Sequence, residues 1–195
     1  QYLGQRSFLG VDRGRSMPML ASRGCPYKCS FCSSPQMWTT RYVVRDPDDL
    51  ADEIAEYVDV YGIDNIDFVD LTAITKRQWT LDFCDALERR NLDISWQLPI
   101  GTRSEGIDGE VLRRLWETGC RNITFAPENG SPRMLEVFDK RLDLDHILED
   151  IRLAHDLGMV VHVNTIIGHP AENWHDRWLN LRFLVRAALA GADTG

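Results

Sequence analysis

The chain has 195 residues, 44% of them hydrophobic, and a formal net charge of −8. This length suits one domain, and the apolar fraction is sufficient for a buried core and excludes a disordered chain. The negative charge argues against nucleic acid as a main partner, because phosphate binding needs a basic face. No apolar run approaches the ~20 residues that span a bilayer. Since no export signal is visible either, we expect a cytoplasmic protein.

The first predicted strand, at residues 17–22, runs directly into a cysteine motif. Cys25, Cys29 and Cys32 have the spacing C-x-x-x-C-x-x-C, with the aromatic residue Phe31 before the last cysteine. Four cysteines are the usual complement of an iron–sulfur cluster, so three leave one iron of a tetranuclear cluster open to a small molecule. The motif therefore predicts a cluster that can bind and activate a ligand.

Two other interpretations of the cysteines remain open. A structural zinc site needs four ligands, usually in separated pairs. The nearest further cysteines, Cys84 and Cys120, fall in helical or helix-end patterns, where we expect them to pack in the core. A disulfide framework suits neither a total of five cysteines nor the lack of a signal peptide. Spacing and count together favour the cluster.

Strands and helices alternate along the rest of the chain. Helix starts are predicted at Asp46, at a capping box of residues 75–78, at Asp108, at Ser131, at Asp143 and near Asn173. Further strands are predicted at residues 65–69, 94–98, 122–126 and 160–167. The alternation predicts an α/β fold with a parallel sheet and right-handed crossovers. A closed eight-unit barrel needs about 250 residues, so we expect a partial barrel.

In such folds the active site forms from the loops after the carboxyl ends of the strands. These five loops carry a possible metal site, carboxylates, a guanidinium and glycine turns, among them Cys25, Cys29, Cys32, Asp70, Arg103, Glu128 and Gly168. Because these loops share one rim of the sheet, the sequence predicts one site built from all of them.

The cysteine motif resembles that of the radical S-adenosylmethionine (radical SAM) superfamily, and the resemblance covers residues 17–195. It implies a core of six strand–helix units, a TIM-like (β/α)6 partial barrel truncated near the sixth strand, which would begin at residues 192–194. It implies that Cys25, Cys29 and Cys32 hold a [4Fe–4S] cluster whose open iron chelates S-adenosylmethionine. The family cleaves this cofactor reductively to a 5′-deoxyadenosyl radical, which abstracts hydrogen from a small-molecule substrate. An electron donor such as flavodoxin or ferredoxin is implied as a partner.

The resemblance also assigns cofactor contacts. Glu128 stands in an element, residues 128–132, that looks like the one holding the ribose, and Ile167 and Gly168 lie in a segment similar to the one packing on the adenine. Further contacts are implied for Phe31, for Asp70 with the methionine amino group and for Arg103 with its carboxylate. Simpler roles remain open: Asp70 as a turn cap, Glu128 as a helix-terminus acid and Arg103 in a surface ion pair.

The segment Asp70-Leu71-Thr72 is similar to that of subfamilies that often carry an N-terminal cobalamin-binding domain. These include methyltransferases and anaerobic ring-forming enzymes. We therefore expect residues 1–195 to be the core of a longer chain, with a cobalamin-binding domain before it and a C-terminal part after it. The alternative is a non-catalytic iron–sulfur electron-transfer protein or structural metal-binding module.

Strand alternation adds predictions for the inner face of the sheet. If Glu128 faces the cofactor, then Asn122, Thr124 and Ala126 face the same lumen, while Ile123 and Phe125 meet the helices. By the same alternation, the predicted substrate contacts are Gln97, His162 and Asn164.

Overall fold

A computed structural model of the chain describes residues 10–193. The expectation for a domain of residues 1–195 therefore includes two short ends that lie outside the described residues. The elements in chain order are β1 (Ser16–Met19), β2 (Ser22–Arg23), α1 (Ser34–Trp38), β3 (Val43–Val44), α2 (Pro47–Tyr61), β4 (Asn65–Phe68), α3 (Arg77–Arg90), β5 (Ser95–Thr102), α4 (Gly109–Glu117), β6 (Cys120–Glu128), α5 (Pro132–Val137), α6 (Leu144–Leu157), β7 (Val160–Thr165) and α7 (Trp174–Leu189).

Five strands form one sheet in the order β1–β4–β5–β6–β7, and every neighbouring pair is parallel. The sheet is open, which confirms the predicted α/β partial barrel. The last described residue, Asp193, donates its backbone N–H to the carbonyl oxygen of Val161 at 2.7 Å, and its side-chain carboxylate accepts the N–H of Val161 at 2.9 Å. The chain thus returns to the free edge of β7, where the sixth strand is predicted. Thr194, also part of that prediction, lies outside the described residues.

The two faces of the sheet differ in chemistry because side chains alternate along each strand. One face packs on the helices through fully buried residues such as Ile66, Ile123 and Phe125. The opposite face carries buried polar side chains, among them Asn65, Asp67, Gln97, Asn122 and Thr124. The face that the alternation assigns to the lumen is therefore the polar one.

Most predicted helix starts are confirmed by their caps. The Asp46 carboxylate accepts the N–H groups of Asp48 and Asp49, Asp108 accepts that of Val111, and Asn173 forms a capping box. The capping box predicted at residues 75–78 is wrong, because α3 begins at Arg77 after Lys76, which makes no side-chain cap. Thr75 lies one residue too early, and its hydroxyl is buried without a hydrogen-bond partner among the described residues.

The first predicted strand, 17–22, is divided in the structure. β1 ends at Met19, and Ser22–Arg23 pairs antiparallel with β3 in a separate two-stranded ribbon. The division arises because the Asp70 carboxylate accepts the N–H groups of Ala21 and Ser22. These two N–H groups are then unavailable for hydrogen bonds within the parallel sheet. β5 and β6 are longer than predicted, and both contain register irregularities near their carboxyl ends.

The last helix, α7, packs through Phe183 and Ala187 and leaves a stripe of large apolar side chains exposed. The stripe consists of Trp174, Trp178, Leu181, Val185 and Leu189. Its spacing of three or four residues places these side chains on one face of the helix. Across residues 10–193, no helix combines the length and apolar character needed to cross a bilayer.

Candidate cofactor site

The three cysteines lie in the connection between the two strands of the ribbon, β2 and β3. Within this connection Gly24 has a φ of +84°, and a Cβ there would lie 2.0 Å from the carbonyl oxygen of Arg41. Only glycine permits so close an approach at a positive φ. The start and the end of the cysteine-bearing connection are therefore held against each other by backbone packing.

Asp70, predicted to contact the cofactor, is 1% exposed and holds the start of this connection. Its carboxylate accepts the backbone N–H of Ala21 at 3.1 Å, and both the N–H and the hydroxyl of Ser22. Burial raises the pKa of Asp70, and these donors oppose that shift. In this structure Asp70 ties β4 to the cysteine connection, and its direct contact with the methionine amino group stays a prediction.

The cysteine sulfur atoms have hydrogen-bond donors close by. Cys25, Cys29 and Cys32 are free and partly buried. Arg103 Nη1 lies 3.7 Å from the sulfur of Cys29, and the backbone N–H of Ser34 lies 3.4 Å from that of Cys32. Burial raises the pKa of the Cys29 thiol, whereas the charges of Lys140 and Arg103 lower it. Such donors and cations stabilise thiolates, which are the form that binds metal.

The arrangement is not that of a single-ion site. Within residues 10–193, no three His, Cys, Asp or Glu side chains converge on one metal position. A tetranuclear cluster does not require its ligands to meet at one metal position, because each thiolate binds a different iron. Cys84 and Cys120 are fully buried, and burial raises their pKa to about 11 and about 12, as expected of packing cysteines.

Arg103 joins the β5 loop to the cysteine connection. Its guanidinium stacks on the ring of Tyr27, with Cζ 3.7 Å from the ring centroid, and pairs with Glu105. Arg103 therefore forms an ion pair, the simpler role left open for it, and also approaches the sulfur of Cys29. Because the side chain is only 8% exposed, this is a buried cation at the cysteine site rather than a surface ion pair.

Glu128 occupies a special backbone position at the end of β6. The pairing of β6 with β7 shifts register between Phe125 and Glu128, and Glu128 has a φ of +68°. Such irregularities re-aim side chains, and here the carboxylate meets Lys140, with Nζ 2.8 Å from Oε1. Lys140 is 3% exposed. Lys140 was not predicted as a site residue because it follows a predicted helix end, where no apolar pattern marks a residue as buried.

The loop after β7 is braced by the side chain of Glu172. Glu172 accepts the N–H of Gly168 at 2.8 Å and pairs with Arg177, and its side chain has no exposed surface. Gly168 has a φ of +88°, so the turn requires glycine-like freedom. The N–H of Ile166 bonds to the carbonyl oxygen of Glu128 at 2.6 Å, which joins this loop to the end of β6.

Three aromatic rings connect the cysteine connection to the same loop. Phe31 packs edge-on against Phe138, and Phe138 packs edge-on against His169, with centroids 5.1 Å and 5.2 Å apart. The N–H of Ser30 also bonds to the carbonyl oxygen of Phe138 at 3.0 Å. Phe31 therefore lies between the cysteines and the β7 loop, with 39% of its surface exposed.

The predicted substrate residues lie at different depths of the polar face. A Cβ added to Gly101 would meet Ala126 Cβ at 2.5 Å and Asn164 Nδ2 at 3.5 Å, so Asn164 lies on the same face as Ala126. His162 is the register partner of Thr124. Both His162 and Asn164 have exposed surface.

Gln97, by contrast, is fully buried. Its amide donates to Asp67 at 2.6 Å and to the carbonyl of Val11 at 3.1 Å, and it accepts from Val11 and Asn122. The structure therefore gives Gln97 a packing role beneath residues 10–11, with no surface open to a ligand.

The sequence matches the Radical SAM superfamily over residues 19–184. The chain belongs to the radical SAM superfamily. It is similar to cytidylyl-2-hydroxyethylphosphonate methyltransferase of Streptomyces wedmorensis, with 33% identity over 153 residues, 78% of this chain and 28% of that protein. It is also similar to the anaerobic magnesium-protoporphyrin IX monomethyl ester cyclase of Cereibacter sphaeroides, with 30% identity over 155 residues, 78% of this chain and 25% of that protein.

Among solved structures, the chain is similar to the radical SAM methyltransferase TsrM from Kitasatospora setae, solved with cobalamin and a [4Fe–4S] cluster. The TM-score is 0.74 at 19% identity, and the match covers 94% of this chain and 36% of TsrM. The predicted family and fold are therefore confirmed. The chain spans well under half the length of the curated relatives it matches.

Proposed function

We propose that this domain is the catalytic core of a radical SAM enzyme of the methyltransferase or anaerobic cyclase type, acting in the cytoplasm. Cys25, Cys29 and Cys32 would hold a [4Fe–4S] cluster, and the cofactor would be S-adenosylmethionine. Cobalamin would bind a domain outside this chain. The observation that carries the proposal is that two buried cations, Arg103 and Lys140, act on the thiol of Cys29 in the connection that bears all three free cysteines.

The residues present fit a cluster and its cofactor. Donors from Arg103 and Ser34 point at cysteine sulfurs, as the charge on ligating thiolates requires. When bound, the cluster would supply the electron that cleaves the cofactor. The protein supplies position and exclusion of water: the ribbon fixes the cysteine connection, and Lys140 holds the Glu128 carboxylate, which would accept the ribose hydroxyls.

Anaerobic reconstitution of the full-length protein tests the proposal. We expect about four irons and four sulfides per chain, and 5′-deoxyadenosine on addition of dithionite and S-adenosylmethionine. A cluster that forms but yields no 5′-deoxyadenosine would indicate an electron-transfer protein, and zinc bound in preference to iron would indicate a structural site. Either result contradicts the proposal.

A further inference from the structure

The sulfur atoms of the three cysteines receive different kinds of hydrogen-bond donor. The backbone N–H of Ser34 lies 3.4 Å from the sulfur of Cys32. Burial raises the pKa of the Cys25 thiol, and a hydrogen bond from the backbone of Tyr27 lowers it. Cys29 is approached by a side chain instead, with Arg103 Nη1 3.7 Å from its sulfur. The donor to Cys29 is therefore charged, whereas the donors to the other two sulfur atoms are neutral.

The guanidinium of Arg103 is held on two further sides. Its Nε donates to Glu105 Oε1 at 2.8 Å, and its Nη2 donates to the same oxygen. Its Cζ lies 3.7 Å from the centroid of the Tyr27 ring, which is a close cation–π contact. Because the Arg103 side chain is 8% exposed, water screens its charge less than that of a surface cation. Glu105 takes the edge formed by Nε and Nη2, and Nη1 is left to face the sulfur.

Tyr27 connects this cation to the cysteine motif. It stands between Cys25 and Cys29 in the sequence, and its side chain is half-buried. Arg103 follows β5, in a distant part of the chain. The stacked ring therefore fixes the guanidinium relative to the sulfur of a residue only two positions after the ring. Without the ring, the guanidinium could turn toward solvent and still keep Glu105 as its partner.

The second buried cation of the site has other partners. Lys140 Nζ lies 2.8 Å from Glu128 Oε1, and it also donates to the carbonyl oxygen of Ala126. Lys140 thus holds a carboxylate that is a predicted contact of the cofactor, whereas Arg103 donates to the sulfur of a predicted cluster ligand. The two cations are therefore expected to affect different properties of the site.

A charged donor at a ligand sulfur has a defined effect on an iron–sulfur cluster. Hydrogen bonds to the sulfur atoms and the net charge around a cluster are determinants of its reduction potential. The reduced cluster carries one more negative charge than the oxidised cluster, so a cationic N–H donor stabilises the reduced state more. Loss of such a donor lowers the potential, whereas loss of a side chain that only packs does not.

We propose that Arg103 sets the reduction potential of the cluster by donating a charge-assisted hydrogen bond to Cys29, and that Tyr27 and Glu105 are positioning residues that hold it there. The inference rests on the proposed function. It differs from the contact with the methionine carboxylate that the resemblance implies for Arg103, because such a carboxylate would compete with Glu105 for the same cation. Reduction adds one electron to the cluster and exchanges no atom.

The test is a redox titration of the reconstituted full-length protein in the absence of S-adenosylmethionine. Dithionite supplies the electron, and the electron paramagnetic resonance signal of the reduced cluster gives the potential. Arg103→Met should lower the equilibrium constant of the one-electron reduction about tenfold or more, which corresponds to a potential lower by about 59 mV or more. Arg152→Met makes the same change at an exposed position on α6, and this matched control should leave the potential unchanged.

Three further variants test the sign of the effect and the positioning. Glu105→Gln keeps a hydrogen-bond acceptor but removes a negative charge beside Arg103, so the potential should rise. Tyr27→Leu removes the stacked ring and should lower the potential, whereas Tyr27→Phe keeps the ring and should match wild type. Opposite shifts in the Arg103 and Glu105 variants are expected of an electrostatic role and not of a purely structural one.

An unchanged potential in Arg103→Met would overturn the inference. If that variant instead bound S-adenosylmethionine about tenfold more weakly in calorimetry, with an unchanged potential, Arg103 would be assigned to the carboxylate of the cofactor. Should Arg103→Met assemble no cluster, the Glu105 and Tyr27 variants decide, because equal potentials in all of them contradict the proposal. Wild-type protein that forms no cluster would refute the proposed function and this inference with it, whereas a normal cluster with unshifted variants refutes the inference alone.

Discussion

Buried polar groups are stabilised in different ways at the two ends of the polar face of the sheet. Near the amino ends of the strands, Asp67, Gln97 and Asn122 have no exposed surface and hydrogen-bond to one another. At the carboxyl ends, Arg103 and Lys140 are buried cations, and each lies beside a residue of the predicted cofactor site, as does the buried carboxylate of Asp70 beside the cysteine connection. The hydrogen bonds at the amino ends stabilise the packing of the sheet, whereas the cations at the carboxyl ends lie where a charged ligand can contact them.

This contrast shows that a polar inner face does not by itself indicate a substrate channel. Buried amides that satisfy one another stabilise a unique packing. Buried charges are costly to keep unless they are paired, so the two buried cations beside Cys29 and Glu128 are the more specific sign of function. Four predictions test this contrast between the two ends of the polar face, in order of decreasing expected effect.

The largest effect is expected at the carboxyl end. Cys29→Ala should abolish the cluster, because a tetranuclear centre with two protein thiolates lacks sufficient ligation. Iron and sulfide content after anaerobic reconstitution measures this. Cys84→Ala and Cys120→Ala are the controls and should retain full iron content. Loss of iron in a control variant would show that the buried cysteines are ligands after all.

Glu128→Ala should weaken binding of S-adenosylmethionine by about 1.5–3 kcal/mol, since charge-assisted hydrogen bonds to the ribose are lost. Calorimetry on the reconstituted protein gives the two affinities, and the cluster spectrum should not change. Because the substitution also leaves Lys140 unpaired, Glu128→Gln serves as a second variant that keeps a partner there. If both variants bind as tightly as wild type, Glu128 has no role in cofactor binding.

Gln97→Ala should lower the free energy of unfolding by about 1–3 kcal/mol, because it removes one donor to the buried Asp67 carboxylate and the acceptor of the buried Asn122 amide. Asn164→Ala, at an exposed position of the same face, should change it by no more than about 0.5 kcal/mol. Urea denaturation of the two variants gives both values. Equal losses of unfolding free energy would mean that the amino and carboxyl ends of the polar face do not differ in this way.

The smallest expected effect concerns substrate. His162→Ala or Asn164→Ala in the full-length enzyme should slow turnover of the native substrate about tenfold, as positioning residues do when lost. Uncoupled formation of 5′-deoxyadenosine should persist, because the cofactor contacts are intact. Both products can be quantified in one assay. A parallel fall of the two products would assign these residues to the cofactor or to the fold.

Local features of the sequence predicted much of this structure. The cysteine spacing, the helix caps at Asp46 and Asn173, and the alternation through residues 122–126 depend on neighbours in the chain, so they can be read from it. Glu128 was correctly placed on the rim, but its left-handed backbone and the register shift before it depend on β7. These features could not be predicted from the period of a single strand.

Other roles depend on contacts between distant segments. Asp70 is engaged by Ser22 and Ala21, which are 48 and 49 residues away in the sequence. The burial of Gln97 follows from Val11, which is 86 residues away. Periodicity gives the face on which a side chain lies but not what covers it. For this reason the strand pattern placed Gln97 in one group with His162 and Asn164, although the three side chains are buried to different depths.

The apolar stripe on α7 has a practical consequence for anyone who handles this domain. Its side chains range from 52% to 83% exposed, and Trp174 and Leu189 at its two ends are the most exposed. A surface of this kind drives self-association in water. Colloidal behaviour rather than thermal denaturation should therefore limit the concentration at which the isolated domain can be studied. Replacement of Leu189 by Lys, at the end of α7 away from the loop after β7, should raise that limit without altering the chemistry at the carboxyl ends of the strands.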